Sequence, residues 1–363
     1  MKYKRAFLTV TLPSGENKRI AFYGKTQKEA EKKKLKAEAE YEAGLLIINS
    51  KTTFRKWYDE WIEVYKEPRV QKSTLTQIKS IMNRVYLPII GNVKLCDLRT
   101  IHLQKCLNSV EGMSPKHINK CYVYIKDCLG KVPQGTMRCD PTRDLEKPKG
   151  KKNPPRRPLT EEERRVFRKA IEIHHRGDFF GIIYACGLRP QEARALPIFN
   201  INLKKGEIRV TQAVEASTRK TVKDPKSEAG ARTIPIPDWY LPMLKNAIDK
   251  ALNQGSPYVF PNKNGDIMSN STMYRAWSSF LREMDIIAGA KLYRNKVVVH
   301  AIDQSLVPYN LRHNYGTELA EKGVPMKTAQ YLMGHSDIRM TAEIYTHVTN
   351  AMIDEAREII NAK

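Results

Sequence analysis

Four short stretches of this sequence carry residue types that together suit phosphoryl chemistry. They read Cys186-Gly-Leu-Arg189-Pro-Gln-Glu192, Tyr309-Asn-Leu-Arg312-His313, Leu332-Met-Gly-His335-Ser and Ile344-Tyr345-Thr-His347. Attack on a phosphodiester needs a nucleophile, stabilisation of the charge that builds on the nonbridging oxygens, and a proton for the leaving oxygen. A tyrosine hydroxyl can attack, and an arginine fork grips two phosphate oxygens while staying charged. A single arginine would read as a surface ion pair. Two of them, each following a turn residue (Gly187 and Pro308) where a helix starts, with Gly-His and Ile-Tyr-Thr-His downstream, point to one site. There is no P-loop and no acidic triad for a two-metal centre, so neither a metal nor a cofactor is expected.

The rest of the chain must supply a partner for that site and elements to position it. The 363 residues carry a formal charge of +24, a surplus that favours a polyanion, because neutralised phosphates release condensed counterions. An anionic membrane is the rival surface, but the basic residues are spread through every segment and not along one strongly apolar helix. No apolar run is long enough to span a bilayer and no signal-peptide core follows Met1. The six cysteines form no C-x-x-C pair or zinc spacing, which fits reduced, mostly buried thiols. A cytoplasmic, nucleoid-associated protein is expected.

The length and patterning predict a mainly α protein with small β-sheets (α+β), in three domains. Residues 1–50 read as a small module. Phe7–Leu12 and Arg19–Tyr23 alternate around Pro13-Ser-Gly15 as a hairpin, in a sheet of two or three strands. Thr26-x-x-Glu29 caps a Lys/Glu-rich helix running to about Glu42, with Gly44 as its stop. Lys18 and Arg19 are its candidate DNA contacts. Residues 52–147 read as four helices in a bundle: Phe54, Tyr58, Trp61, Ile62 and Tyr65 form one apolar stripe, more a core than a base-stacking platform. Thr74-x-x-Gln77 is expected to open the second helix and Pro88 to stop it. Leu95–Val110 and Ser114–Leu129 give the other two. Residues 148–158 form a proline-rich basic linker, whose Lys149, Lys151, Lys152, Arg156 and Arg157 could track a DNA backbone. Thr160-x-x-Glu163 then opens the last domain, 159–363, with strands at Glu207–Val214 and Arg232–Ile236. Residues 286–308 read as an extra loop or hairpin, with Lys296–Val299 as a strand and no assignable role. Ile353–Ile360 reads as a final amphipathic helix.

These motifs are similar to those of the tyrosine recombinase (phage integrase) family over most of the chain. Gly187-Leu-Arg189-Pro-Gln-Glu192 resembles the first-arginine box, with Glu192 at its supporting acidic position. Asn310-Leu-Arg312-His313 resembles the second, and Leu332-Met-Gly-His335-Ser the histidine box. The resemblance implies that Tyr345 is the nucleophile of a 3′-phosphotyrosyl intermediate and that His335 hydrogen-bonds a nonbridging oxygen. Lys226, in Pro225-Lys226-Ser, takes by position the role of the mobile lysine that protonates the leaving 5′-oxygen. Where the family usually has histidine, this chain has Tyr309, a weaker base at neutral pH. His313 points about 100° away from Arg312 on a helix, which suits a supporting role.

The resemblance further implies a site-specific recombinase that acts as a homotetramer on double-stranded DNA through a Holliday junction. The bundle and the catalytic domain would clamp a core site, and the C-terminal helix would pack on a neighbouring protomer. The N-terminal module resembles the arm-type DNA-binding domains of mobile-element integrases. That favours integration and excision of a prophage or conjugative transposon, with a DNA-bending host protein and an excision factor as possible partners. A type IB topoisomerase-like relaxing enzyme shares the chemistry, and a regulator that has lost catalysis shares the DNA binding.

Overall fold

In the computed structural model, residues 3–11, 17–42, 51–133, 136–151, 157–214, 222–223, 230–345 and 361 are described. The chain divides into two units between Pro154 and Pro155, inside the basic proline-rich segment. Among the described residues, no helix is long and apolar enough to cross a membrane. All six cysteines are free thiols, and only Cys139 is exposed.

In the first unit, β1 (Lys4–Thr11) and β2 (Asn17–Gly24) pair antiparallel, Lys4 opposite Gly24. The inward face of this two-stranded sheet carries Leu8 and Val10, which pack with Ala37 of α1 (Gln27–Glu42) into a small core. Thr26 caps α1 as expected: its hydroxyl accepts from the Glu29 amide at 3.2 Å.

The bundle follows. Its first helix, α2 (Phe54–Trp61), runs on into a wider π turn over Ile62–Lys66. Phe54, Tyr58, Trp61 and Ile62 are buried together, so the aromatic stripe is core. Two boundaries differ from expectation. The second helix, α3 (Lys72–Ile81), starts before Thr74, from an extended Gln71. Nor does Pro88 stop the chain. A π turn over Met82–Tyr86 resets the register so that Pro88 falls in the first turn of α4 (Leu87–Ile90), where its missing N–H is not needed. Leu95–Val110 is also not one helix. A short 3₁₀ turn at Leu95–Asp97 is followed by extended Leu98 and Arg99 before α5 (Thr100–Asn108). Ser114 caps α6 (Pro115–Leu129). Indole and phenol donors lock the bundle: Trp57 Nε1 donates to the Cys128 carbonyl at 2.9 Å and Tyr86 to that of Cys121 at 2.9 Å. The start of the basic segment lies along this bundle, with the Lys149 carbonyl accepting from Gly112 N and Lys151 N donating to the Met113 carbonyl.

The second unit opens with α7 (Glu161–Ile173), whose capping box joins Thr160 and Glu163 as expected. Next come the nearly all-buried α8 (Gly177–Cys186) and the short α9 (Pro190–Arg194). A three-stranded sheet has the order β3 (Ile201–Asn202), β4 (Glu207–Val210), β7 (Arg232–Pro235). The expected strand Glu207–Val214 is broken after Val210. The chain leaves that sheet so that β5 (Ala213–Val214) can pair with β6 (Val222–Lys223). Helices α10 (Leu241–Asn253) and α11 (Asn270–Ile287) pack against α7 and α8 around an aromatic core containing Phe167, Phe180, Trp277 and Phe280.

Residues 286–308 contain a hairpin, β8 (Lys291–Tyr293) and β9 (Lys296–Val299), turned by left-handed Arg294 and Asn295. Its return is anchored by the fully buried Asp285. That carboxylate accepts from the amides of Ala301 and Ile302 at 2.9 and 2.8 Å, and from the Gln304 side chain at 2.8 Å. The anchored segment leads into α12 (Pro308–Glu321), followed by α13 (Met326–Met333) and α14 (Arg339–Tyr345). The expected Ile353–Ile360 helix lies outside the described residues.

Candidate active site

The site forms where α9, α12 and the end of α13 meet. Gly187 ends α8 with φ +62°, and a Cβ there would lie 2.1 Å from the Tyr315 ring. Only glycine combines that backbone with so close a neighbour. The turn delivers Arg189 to the N-terminus of α9, where Pro190 supplies a pre-set φ and Glu192 reaches back to accept from the Arg189 amide at 2.8 Å. Arg189 Nη1 donates to the same carboxylate at 2.7 Å and Nη2 to the Gly334 carbonyl at 2.6 Å.

Arg312 lies in the second turn of α12 with no exposed surface. Nη1 donates to the Gly187 carbonyl at 2.6 Å, and Nη2 donates to the carbonyl of Met333. Its Nε–H has no partner among the described residues. Burial, then the neighbouring charge of Arg189, lowers its pKa to about 10, so it stays cationic at neutral pH. Burial also opposes the Glu192 anion. The hydrogen bonds and charge of Arg232, with the charges of Arg189 and Arg312, outweigh that and hold its pKa at about 2.

Gly334 caps α13 in the left-handed conformation and turns His335 back onto the arginines. The His335 ring is 5 % exposed, and its Nδ1 lies 2.9 Å from the buried Thr341 hydroxyl. Burial, then the charges of Arg312, Arg189 and Arg232, depresses its pKa from 6.5 to about 4. The folded state therefore resists protonation that the unfolded chain accepts. The contribution of His335 to stability is complete above about pH 6.5 and lost as the pH falls towards 4. From the two pKa values, the loss attributable to His335 is about 3 kcal/mol between pH 7 and 4. His174, depressed to about 4 by burial and the charges of His175 and Arg176, adds an independent acid-labile group. The informative quantity is thus a difference: His335→Gln should lose about 3 kcal/mol less than wild type over that range, by urea unfolding at each pH.

Tyr345 lies on α14. Its hydroxyl donates to the Val324 carbonyl at 2.8 Å, and burial raises its pKa. Tyr309 and His313 lie one turn apart on α12, their rings edge-to-face at 5.6 Å, which supports a packing role for His313. Lys226 and His347 lie outside the described residues, as do Lys152 and Arg156. Lys18 and Arg19 are exposed on β2, the Arg19 guanidinium 3.9 Å from the Phe7 ring centre. Lys149 and Lys151 are exposed. Arg157 departs from expectation. Its fork is taken by Glu163 at 2.6 and 2.8 Å and by Asp303 at 2.9 Å, so its charge is neutralised within the protein.

One central residue was not singled out from the sequence. Arg232, at the start of β7, is fully buried and grips both oxygens of Glu192 at 3.1 and 2.9 Å. The available signal was alternation: Arg232 falls on the same inward face as Ile234, where an apolar residue is the rule.

Arginines on separate elements, a neutral buried imidazole and a phenol on the following helix define an anion site suited to phosphoryl transfer. Residues 158–352 match the model of the phage integrase family, and residues 53–110 match that of the phage integrase N-terminal SAM-like domain. A tyrosine recombinase XerC-like protein of Caldanaerobacter subterraneus subsp. tengcongensis is 28% identical over 98% of this chain and 95% of its own length. Tyrosine recombinase XerA of Pyrococcus furiosus is 32% identical over 50% of this chain and 52% of its own. Among solved structures, the Tn1549 transposon integrase bound to transposon right-end DNA has a TM-score of 0.66 at 20% identity, covering 86% of this chain and all of that one. A lambda integrase tetramer on a Holliday junction has a TM-score of 0.58 at 16% identity, covering 95% and 94%. The chain belongs to the phage integrase family and is a tyrosine-type DNA strand-transferring enzyme.

Proposed function

We propose that this enzyme is a site-specific recombinase that integrates and excises a mobile element through a 3′-phosphotyrosyl intermediate. The observation that carries the reading is the convergence of Arg189 and Arg312 on the turn that presents His335, with Tyr345 on the helix that follows. Among the described residues, the carboxylate bonded to Arg189 and Arg232 is Glu192, while Arg312 is bonded to backbone carbonyls. The cluster therefore keeps a cationic excess that a phosphodiester would neutralise.

In this mechanism the arginines hold the nonbridging oxygens and gain strength as charge builds there. A His335 ring whose Nδ1 accepts from Thr341 carries its proton on Nε2, and that N–H donates a hydrogen bond to a nonbridging phosphate oxygen. Tyr345 leaves Val324 and attacks phosphorus, its phenolic proton passing to water, while the bond from phosphorus to the 5′-oxygen breaks and Lys226 protonates that oxygen. The phosphotyrosyl bond conserves the energy of the broken diester, so the ends rejoin without ATP. Tyr309 is a phosphate hydrogen-bonding group in place of the family's usual histidine. The basic segment and the β1–β2 module provide further DNA contacts through Lys18, Arg19, Lys149, Lys151, Lys152 and Arg156, the module at arm sites. A homotetramer on two core sites is the assembly the lambda integrase likeness suggests. The XerC-like relative matches along nearly the whole chain.

The test is incubation with a nicked duplex carrying the repeated core found at the ends of the element. A covalent protein–DNA adduct, and recombinant product from two such sites, are expected. No adduct would remove the catalytic assignment, and relaxation of supercoiled DNA without recombinant product would make the enzyme a topoisomerase.

A further inference from the structure

The end of α13 has an unusual set of partners. A helix leaves its last carbonyls without intrahelical donors. Here those of Gln330 and Tyr331 are met by the chain's own return, through Gly334 N. The next three go to three different arginines: Leu332 to Arg232 Nε at 2.7 Å, Met333 to Arg312, and Gly334 to Arg189 at 2.6 Å. Cations at a helix C-terminus also suit its partial negative charge. Arg232 and Arg189 both link this end of α13 to Glu192 on α9, and of the two only Arg232 grips both carboxylate oxygens with its fork. With two donors from Arg232 and two from Arg189, the carboxylate has its full complement of about four acceptor sites filled.

We propose that Arg232 is a positioning residue of the strand-cleavage site, its fork fixing Glu192 and through it Arg189, while its Nε fixes the turn that carries His335. The inference rests on the proposed phosphotyrosyl chemistry. An apolar residue at this strand position would continue the inward face with Ile234 and avoid the desolvation of a cation, so packing alone does not account for an arginine. Without it, Glu192 loses two donors and draws further on the Arg189 N–H groups that the phosphate needs. The Leu332 carbonyl, three residues before His335, loses its partner too. A lysine cannot replace the fork, because one ammonium cannot span both carboxylate oxygens and the carbonyl.

The test uses the full chain, with Arg232→Met and Arg232→Lys, on a nicked duplex carrying the core repeat. Single-turnover adduct formation, DNA affinity and thermal melting are measured together. Arg232→Met is expected to slow adduct formation about 100-fold, with DNA affinity within about threefold because the scissile phosphate is one contact among many. Arg232→Lys should recover no more than about tenfold of that loss. On a duplex with a methylphosphonate at the scissile position, which lacks one negative charge, the Arg232 penalty should shrink at least about tenfold, because less charge needs a placed Arg189. A general distortion would slow both substrates alike, and that result overturns the proposal, as does a folded Arg232→Met within about threefold of wild type. If Arg232→Met does not fold, the same substrate ratio is read from Arg232→Lys. Absence of adduct from wild type would instead remove the catalytic reading itself.

Discussion

Tyr345→Phe is expected to yield no covalent adduct on the nicked core duplex while binding it as tightly as wild type. The change deletes one oxygen from a side chain on α14 that is only partly buried. In the free protein that oxygen makes one neutral hydrogen bond, to Val324, whose loss costs about 1 kcal/mol. Fold and DNA affinity should therefore hold while the chemistry disappears, because a phenyl ring has nothing to attack with. Other phenols do not replace it. Tyr315 is buried against Gly187, with its pKa raised by burial, and Tyr309 sits on α12, a different helix. Gel separation of protein–DNA adducts, with binding followed in parallel by mobility shift, measures both halves. Adduct surviving in Tyr345→Phe would assign the nucleophile to another residue.

How these residues could be found from sequence depends on what each needs from its neighbours. Arg189, Arg312 and His335 sit in local frames that the sequence spells out: Gly187 and Pro190 around the first arginine, Pro308 before the second, Gly334 before the histidine. Local turn chemistry sets those frames, so the placement of these side chains was legible from type and spacing. The importance of Arg232 depends on a carboxylate forty positions earlier and a carbonyl a hundred positions later. In sequence it is merely the first residue of a strand. Asp285 is similar: only the fold brings it two backbone amides from beyond the hairpin. Arg157 shows the opposite error. A basic residue among basic residues suggested a polyanion, but Glu163, placed by its own capping box, claimed it first. Pro88 misled because a π turn shifted the register that its usual helix-stopping role assumes.

Arg312 shows why a site of this kind tolerates an expensive residue. Its guanidinium is fully buried beside two other arginines, and burial lowers its pKa to about 10, still well above neutrality. Arg312→Met removes that desolvated, mutually repelled cation, which favours the fold. It also leaves the carbonyls of Gly187 and Met333 without donors, each at about 1–3 kcal/mol. These effects oppose each other, so the melting temperature should fall by only a few degrees, roughly 1 kcal/mol of stability. Catalysis has no such compensation. The Nε–H and the remaining Nη protons are the donors left over for phosphate, and nothing else in the described structure replaces them. Adduct formation should fall about 1,000-fold, at the upper end of what one transition-state donor contributes. Arg312→Lys, which keeps the charge and loses the fork, should remain at least about 100-fold down. Single-turnover rates set beside melting curves distinguish the two roles. A folded Arg312→Met that cleaves within about tenfold of wild type would make the guanidinium a scaffold for the Gly187 and Met333 carbonyls and not a ligand of the phosphate.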